Sequence, residues 1–532
     1  MKNLPVGVQH FKKIIKGDYV YIDKTQYIYN LINDAKYYFL SRPRRFGKSL
    51  LLDTIAEVFG GDRELFSGLW IYESNYEFVR HPAIRFDMSN MTTESPETLK
   101  ESLVLELNAR IKEEGLDIPE VHPADMFKVL IKGLCKKYGK KVVVLIDEYD
   151  KPILDHLDDL KMAEANGRVL RGFYGILKSM DPFLRFTFFT GVTKFTKTSI
   201  FSELNNLFDI TLTERYSDIC GITIEDFDKY FQSHIEYLSS LERFGHIGDI
   251  RKKVLEWYDG YSWNGQTKVL NPFSLLSFFM QERFSAFWYA SGTPKFLVGL
   301  IKQNPVLYPQ LKNLEITEYM LDSTELDKIV LEPLLFQTGY LTIKEILYEY
   351  LPPIYVLDIP NHEVREAFDL NIISALTESD DVRTGQARIS IGRALKSGDL
   401  GQVLTSLRSL FASIPYNLHI ELEAYYHSIF YAVMSVLGFD VEAEVSTSRG
   451  KVDASLELED KLYIMEFKYE KCPPETSPEG KQTLFKKALK EAMAQIKSKK
   501  YGERYKSTGK TIYYAAFAFI GRDEIEMQTE IS

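Results

Sequence analysis

The sequence predicts an α/β protein built from a doubly wound parallel sheet, a helical middle domain and a C-terminal α/β domain. Apolar runs that read as buried strands, such as Val142–Ile146, alternate with segments of helical periodicity, which is typical of a parallel sheet with helices on both faces. A helical, aromatic-rich stretch follows from about residue 222 to 350. Strand-like runs between about 440 and 469, then a helix and a last apolar strand, indicate the second α/β domain.

Composition places the chain among soluble globular proteins. It has 532 residues, of which 45% are hydrophobic and 26% charged, and its net charge is −10. We do not expect such an acidic chain to bind nucleic acid over its whole surface, although a local basic groove remains open. No apolar run approaches the ~18 residues of a membrane span, and the N-terminus lacks a signal-peptide pattern. Three widely spaced cysteines fit neither a disulfide framework nor a zinc site, so we expect a cytoplasmic protein with reduced thiols and no membrane partner.

The first candidate site is Ser41–Ser49, which reads SRPRRFGKS and lies between the strand-like run Tyr37–Leu40 and a helical run. Strand, tight loop and helix form the context that a phosphate-binding P-loop requires. Lys48 would reach the β- and γ-phosphates, Ser49 would bind Mg²⁺, and backbone N–H groups at the helix start would hold phosphate oxygens. The residues predicted to bind the nucleotide here are Arg42, Pro43, Arg44, Arg45, Phe46, Gly47, Lys48 and Ser49.

Arg42 is the departure from the usual P-loop pattern, GxxxxGK[ST], which has glycine at that position. Arginine removes the residue that eases the tight start of the loop. Arg42, Arg44 and Arg45 could clamp phosphates, or they could lie outside the pocket and face a partner. The departure therefore bears on nucleotide turnover more than on nucleotide binding.

An acidic pair supports the P-loop interpretation. Asp147 and Glu148 directly follow the strand Val142–Ile146, as expected if Asp147 binds Mg²⁺ and the nucleotide while Glu148 polarises the attacking water. Thr190 and Thr193 end a later strand, where a hydroxyl could contact the γ-phosphate, and we assign Thr193 to the nucleotide site. The plainer alternative is a basic loop and two solvated acids that cap a strand, but three elements in this order favour nucleotide binding.

The rest of the chain divides at changes of pattern. Turn-rich residues at 258–265 interrupt the aromatic helices, Leu334–Ile343 reads as a strand, and prolines at 352, 353 and 360 mark a junction. We predict a P-loop domain at 1–220, a helical lid or middle domain at 221–350, a linker with helices at 351–412 and the C-terminal domain at 413–532.

The C-terminal domain holds a second group of candidate catalytic residues. Asp453 lies on one strand, and Glu466 and Lys468 lie on one face of the next strand because side chains alternate along it. Asp453 and Glu466 could hold Mg²⁺, which activates water, while Lys468 polarises the nucleophile. Glu423, on the preceding helix, could add a third carboxylate. The plainer alternative is a surface hairpin with ordinary charges.

Together these segments resemble a bacterial family that joins an AAA-ATPase-like domain to a C-terminal PD-(D/E)XK nuclease-superfamily domain. They run in order over nearly the whole chain, and the family's P-loop also carries arginine at position 42. The matching segments are Tyr21–Thr25, Ser41–Ser49, Ile146–Asp150, Thr190–Phe195, Phe201–Leu207, Tyr258–Tyr261, Asn271–Ser274, Phe336–Thr342, Pro360–Arg365, Gly450–Asp453 and Glu466–Lys468.

The resemblance implies an AAA-like P-loop fold followed by a restriction-endonuclease-like domain, with ATP and Mg²⁺ as cofactors. It implies that Lys48 and Ser49 bind phosphate and Mg²⁺, that Asp147 and Glu148 form the acidic pair of the ATPase, and that Asp453, Glu466 and Lys468 form the nuclease triad. The favoured interpretation is an ATPase coupled to a Mg²⁺-dependent nuclease that acts on nucleic acid, chiefly DNA, with homo-oligomer formation left open. The alternative is a nucleotide-switched sensing or interaction protein whose C-terminal domain binds without cleaving.

Overall fold

A computed structural model describes most of the chain. The described residues are 1–194, 201, 204, 206–288, 313–322, 330–377, 381–412, 426, 429–430, 434, 441–447, 450–458, 460–473, 475–498, 509–521 and 524–531. They form two compact units, one made of Met1–Gly292 and Asn313–Glu363 and the other containing Val364–Ser532. The four-part division made from the sequence is finer than this and stays a prediction.

A five-stranded, all-parallel sheet organises the first unit. Its strands are β1 (Tyr37–Ser41), β2 (Ala83–Asp87), β3 (Val142–Asp147), β4 (Leu184–Gly191) and β5 (Phe208–Asp209). The order β2-β3-β4-β1-β5 puts β4 between the P-loop strand and the strand that carries Asp147. Every residue of β1 and β3 is buried, as expected for central strands covered on both faces.

Helices cover this sheet and form most of the remainder of the unit. They are Phe11–Lys16, Thr25–Asp34, Lys48–Gly60, Pro96–Glu113, Pro123–Tyr138, Lys151–Leu154, Leu160–Ser179, Ile224–Ser239, Ile250–Tyr258, Pro272–Gln281, Glu318–Asp322 and Leu331–Thr338. Local sequence fixes several of their starts. Ser95 and Thr98 form a capping box at the start of Pro96–Glu113, and Thr223 and Asp226 form another at the start of Ile224–Ser239.

Short strands accompany the helices beyond residue 221. They are β6 (Ile222–Thr223), β7 (Val269–Leu270), β8 (Leu314–Thr317), β9 (Thr342–Leu347) and β10 (Ile354–Asp358). The pair β6–β7 is antiparallel, and β8, β10 and β9 form a separate antiparallel sheet in that order. The middle region is therefore helical with strands added, rather than wholly helical.

The strand predicted at Leu334–Ile343 is wrong in its first half. Residues Leu331–Thr338 form a helix that ends at Gly339, whose φ of +93° gives the left-handed turn common at helix ends. Because this helix is buried on nearly all sides, its apolar run looks the same as a buried strand in the sequence. The strand begins only at Thr342.

The second unit is built around a mixed five-stranded sheet. Its strands are β11 (Val441–Thr447), β12 (Gly450–Glu457), β13 (Lys461–Glu470), β14 (Thr511–Ile520) and β15 (Glu524–Ile531). Strands β13 and β14 are parallel and the other neighbours are antiparallel. The helices of this part of the chain are His362–Thr377, Asp381–Ser397, Leu400–Phe411 and Pro478–Ser498.

The helix Pro478–Ser498 connects β13 to β14, as a parallel pair requires. It packs Ala492 and Ile496 against Leu462 and Ile464 of β13. The α/β fold class predicted from the sequence is thus confirmed in both units. Within the described ranges, no helix combines the length and apolarity that crossing a bilayer would need.

Candidate nucleotide and nuclease sites

The P-loop connects β1 to the helix Lys48–Gly60 at the carboxyl edge of the parallel sheet. Gly47 is the N-cap of that helix, with φ +92°, and a Cβ added to it would meet no atom within 4 Å. The start of the helix is therefore an open cradle of backbone N–H groups, which suits phosphate oxygens. Arg45 also has a positive φ, +71°, and shapes the turn before Gly47.

Arg42 is buried behind this loop and not in the pocket in front of it. Its Nη1 donates to the carbonyl oxygens of Ser41 and Thr211, both at 2.9 Å, and its Nη2 donates to those of Tyr216 and Ser217 at 3.1 and 3.4 Å. Its guanidinium also lies 3.9 Å from the ring centroid of Trp263. Burial lowers the pKa of Arg42 to about 10. The structure thus makes Arg42 an anchor between the loop and the segment after β5, and does not bring it to the phosphates.

Lys48 and Ser49 begin the helix inside the cradle. The Lys48 ammonium donates to the carbonyl oxygens of Arg42 and Pro43, each at 3.0 Å, so its charge is held at the floor of the loop. Ser49 is half-buried and its carbonyl accepts a 3.3 Å hydrogen bond from Arg85 of β2. Arg85 also binds Asp53, one turn along the same helix, at 2.6 Å. The helix start is therefore fixed to the sheet from below.

The acidic pair lies at the end of β3. Asp147 is 1% exposed and accepts hydrogen bonds from the Thr190 hydroxyl at 2.6 Å and the Glu148 N–H at 3.1 Å. Glu148 has φ +50°, an uncommon conformation for a non-glycine residue that is often found at functional sites. Burial raises the pKa of the Glu148 carboxyl, and the charges of Lys48 and Arg44 oppose that rise.

Asp150 holds the end of β4 in place. It accepts hydrogen bonds from the Thr193 N–H and hydroxyl, both at 2.6 Å, and from the Val192 N–H at 3.1 Å. Thr193 is fully buried, so its hydroxyl serves this internal contact, and Thr190 is the threonine beside the acidic pair. Burial raises the pKa of the Asp150 carboxyl, and its bonds to Thr193 oppose that rise. A Cβ on Gly191 would lie 2.5 Å from Asp150 Oδ1, so this packing requires glycine.

Two pockets meet at the P-loop. The first, which we call the phosphate pocket, is lined by Pro5, Val6, Gly7, Val8, Gln9, Arg44, Arg45, Gly47, Lys48, Ser49, Leu50, Glu148, Lys151, Pro272, Phe273 and Leu276. The second, the apolar pocket, is lined by Pro5, Val20, Tyr21, Ile22, Lys24, Phe46, Gly47, Leu50, Leu51, Thr54, Ile219, Cys220, Gly221, Ile222, Phe231, Pro272 and Leu276. Because Gly47, Leu50 and Leu276 border both, the two are adjacent.

Aromatic residues of the middle region pack against the P-loop. The Phe46 ring meets the rings of Tyr261 and Trp263 edge-on, with centroids 4.8 and 5.4 Å away. Pro43 packs so closely on Gly339 that a Cβ there would lie 2.8 Å from the proline Cβ. The nucleotide-binding residues Pro43 and Phe46 predicted from the sequence therefore contact the middle region, while Phe46 also borders the apolar pocket.

The nuclease candidates meet across two strands of the second sheet. Strands β12 and β13 pair Ala454 with Met465, and Asp453 and Glu466 are the next residues along. The Phe467 N–H donates to Asp453 Oδ2 at 2.9 Å, and Lys468 Nζ lies 3.9 Å from Glu466 Oε1. Glu466 is fully buried, whereas Lys468 is 24% exposed on the side chain. Two carboxylates thus lie on neighbouring strands beside an ammonium, and the carboxylate oxygens are ligands that suit a hard cation such as Mg²⁺.

Glu423 lies outside the described residues, so the third predicted carboxylate has no placement. Across the described part of the chain, no three His, Cys, Asp or Glu side chains converge in a metal-binding group. The lysines of the helix Pro478–Ser498 are partly neutralised. Lys481 pairs with Glu524, Lys487 with Glu470 at 3.0 Å, and Lys497 with Glu530 at 2.6 Å.

Sequence reasoning missed two parts of the candidate nucleotide site. Asp150 was visible as a third acid after Asp147 and Glu148, but its partner Thr193 lies 43 residues further on, and only folding brings the two together. The segment Pro5–Gln9 lines the phosphate pocket without any local motif that predicts it.

Comparison with known proteins identifies both regions. A family model described as a predicted AAA-ATPase matches residues 5–201, and one described as the PD-(D/E)XK nuclease superfamily matches residues 421–529. A relative from Azotobacter chroococcum mcd 1, named as an uncharacterized protein in the vnfD 5′ region, is 36% identical over 527 residues. That alignment covers 97% of this chain and 96% of the relative. The chain therefore belongs to the family of proteins that join an AAA-ATPase-like domain to a C-terminal PD-(D/E)XK nuclease-superfamily domain.

Proposed function

We propose that the first unit binds and hydrolyses ATP and that the C-terminal domain uses Mg²⁺ to cleave phosphodiester bonds of nucleic acid, chiefly DNA. The observation that carries the first half is that Lys48, Ser49 and Glu148 line one pocket at a helix start. The triphosphate would lie in the phosphate pocket, with its oxygens on the backbone N–H groups that follow Gly47. The base would occupy the adjacent apolar pocket, where Tyr21, Ile222 and Leu276 offer apolar surface.

The residues of the pocket can divide the work of hydrolysis. The Glu148 carboxylate would orient the attacking water and take up its proton, the task of the water-positioning or base residue in phosphoryl transfer. The Lys48 ammonium would exchange its loop carbonyls for phosphate oxygens. Thr190 would hold Asp147 in the orientation in which Asp147 and Ser49 bind Mg²⁺. Mg²⁺ bound there would neutralise charge on the β- and γ-phosphates.

ATP binding and turnover test this half of the proposal. Lys48→Ala should lose most nucleotide affinity because it removes the charge at the loop floor. Glu148→Gln should keep ATP binding and lose turnover, since it removes the base and leaves the phosphate contacts in place. If folded Lys48→Ala protein binds ATP as tightly as wild type does, the proposal that the P-loop binds the nucleotide is wrong.

The C-terminal residues can serve phosphodiester cleavage in the same way. Asp453 of β12 and Glu466 of β13 would hold Mg²⁺ between these neighbouring strands, and Lys468 would stabilise the nucleophile or the phosphate charge. A bound Mg²⁺ supplies an activated water and a positive charge for the scissile phosphate. The hydrogen bond from the Phe467 N–H to Asp453 Oδ2 holds one oxygen of this carboxylate and so fixes its orientation relative to β13.

A cleavage assay on single- and double-stranded DNA and RNA tests the nuclease half. Asp453→Asn and Glu466→Gln should lose cleavage with Mg²⁺ or Mn²⁺, because each removes a negative metal ligand. Asp460→Asn is the matched control, since Asp460 is exposed between the same two strands and its carboxylate pairs with the adjacent Lys461. If Asp453→Asn degrades every substrate as fast as wild type does, the nuclease assignment is wrong.

A second candidate function is nucleotide-switched binding without cleavage. The pairing of Lys481, Lys487 and Lys497 with glutamates favours it, because these cations are already engaged and offer less charge to a phosphate backbone. Under this alternative, wild type would bind ATP and a partner while Asp453→Asn changed neither. Measured cleavage that depends on Asp453 would reject it.

A further inference from the structure

The three arginines of the P-loop have three different environments. Arg42 is fully buried and donates to four backbone carbonyls. Arg45 is exposed, and its guanidinium lies 4.8 Å from the ring centroid of Phe273, which is a cation–π distance. Both side chains therefore have contacts that hold them in place.

Arg44 is placed differently from its neighbours. It is half-buried and lines the phosphate pocket together with Lys48, Ser49 and Glu148. Among the residues that the structure describes, it has no hydrogen bond, ion pair or stacked ring. Its charge nevertheless acts on Glu148, whose carboxyl it favours in the ionised form. Arg44 is thus an available guanidinium on the same side of the loop as the residue that would orient water.

We propose that Arg44 supplies, from within the same chain, the positive charge that stabilises the γ-phosphoryl group during ATP hydrolysis. This inference rests on the proposed ATPase function. The water oxygen forms a bond to the γ-phosphorus, the bond from that phosphorus to the β,γ-bridging oxygen breaks, and its electron pair leaves on ADP. Glu148 takes up the proton of the water. Arg44 transfers no proton or electron and acts through charge and hydrogen bonds to phosphate oxygens.

The placement has a consequence for assembly. Many P-loop ATPases take this arginine from another subunit or an activating partner, so that turnover requires association. With this arginine in its own P-loop, each chain carries all the residues that the proposed hydrolysis requires. Turnover per chain is therefore expected to be independent of protein concentration, whatever oligomer the chain forms.

Two ligand affinities separate transition-state charge from simple binding. We would measure the dissociation constants of a non-hydrolysable ATP analogue and of ADP–aluminium fluoride, both with Mg²⁺, for wild type, Arg44→Ala and Arg44→Lys. Arg44→Ala should weaken the binding of ADP–aluminium fluoride and lower kcat by ~1,000-fold or more, as loss of such an arginine does. It should change the affinity for the ATP analogue by less than about threefold, because that contact forms in the transition state. Arg44→Lys should recover only part of the loss, since it restores charge without the planar fork.

Two further variants serve as controls. Arg168→Ala removes an arginine that is exposed on the helix Leu160–Ser179, outside the pocket, and should leave both affinities and kcat unchanged. Arg45→Ala removes a residue of the pocket wall and should change both affinities by the same factor. Thermal unfolding of each variant shows whether it is folded.

Several results would overturn the inference. One is an Arg44→Ala protein that loses the same factor for both analogues, or that keeps wild-type kcat. Another is wild-type turnover per chain that rises with concentration together with rescue of Arg44→Ala by added Lys48→Ala chains, which would place the arginine in a neighbouring subunit. Wild type that binds ATP without preferring ADP–aluminium fluoride would also reject it while leaving nucleotide binding intact. Wild type that binds neither analogue would instead refute the proposed ATPase function itself.

Discussion

Arg42 occupies the position at which phosphate-binding loops usually have glycine, and its side chain binds carbonyl oxygens of the protein. Four carbonyls and the Trp263 ring surround its guanidinium. The side chain therefore ties the loop to the segment after β5. From the sequence alone, the arginine could equally have clamped phosphate, because nothing local shows which way the side chain points.

Because Arg42 is buried in this way, we predict that restoring the glycine of the usual P-loop pattern destabilises the protein. Arg42→Gly restores the usual P-loop pattern, yet we expect it to lower the free energy of unfolding by about 4 kcal/mol, because buried carbonyls lose a charged donor. Chemical denaturation followed by circular dichroism measures the change. Arg63→Gly, which removes one exposed arginine bond to the Tyr72 carbonyl, is the control and should cost far less. An Arg42→Gly protein as stable as wild type would show that the anchor does not matter.

At the scale of elements, the helix Leu331–Thr338 connects the P-loop to the strand ends. Gln337 accepts a hydrogen bond from the Lys194 N–H just beyond β4 and donates to the Leu321 carbonyl, both at 2.9 Å. Gly339, directly after the helix, packs on Pro43 of the P-loop. One short element thus contacts the loop on one side and the end of β4 on the other.

Gly339→Ala should lower the free energy of unfolding by more than the cost of placing alanine at a positive φ. The added Cβ would lie 2.8 Å from the Pro43 Cβ, in a residue with φ +93°. Gly68→Ala is the matched control, because Gly68 has a similar φ of +81° and its added Cβ would meet nothing within 4 Å. Both should lose about 1 kcal/mol from the left-handed conformation.

The close contact separates the two variants. We expect Gly339→Ala to lose about 1–2 kcal/mol more than Gly68→Ala, since Pro43 has to move. It should also weaken ATP binding, because Pro43 offers one of the two carbonyls that hold Lys48. Denaturation curves and nucleotide titration measure both effects. Equal losses in the two variants would show that the contact carries no energy.

The sequence predicted these elements well where a motif or a long apolar run fixed them. Val142–Ile146 and the GKS ending at Ser49 lie on the strand and helix expected of them. The strand prediction that began at Leu334 was wrong there because a buried helix and a buried strand have the same apolar pattern in the sequence. Thr193 and Asp150 could not be paired in advance, since their contact depends on the register between β3 and β4.

At the scale of the whole molecule, each unit holds its own group of acidic and basic side chains, to which we assign phosphate chemistry. Lys48, Ser49 and Glu148 meet in the first unit, and Asp453, Glu466 and Lys468 meet in the second. The two sets share no residue. A mutation that removes the proposed ATP hydrolysis should therefore leave the residues for DNA cleavage intact, and the reverse should also hold. If such a mutation changes the rate of the other reaction, the two units are coupled.

The most direct test measures ATP hydrolysis and DNA cleavage in the same preparation of full-length protein with Mg²⁺. We predict that wild type shows both, that Glu148→Gln binds ATP but does not hydrolyse it, and that Asp453→Asn hydrolyses ATP but does not cleave DNA. Cleavage by Asp453→Asn at the wild-type rate, or ATP hydrolysis by Glu148→Gln at the wild-type rate, would contradict the assignment of the corresponding site.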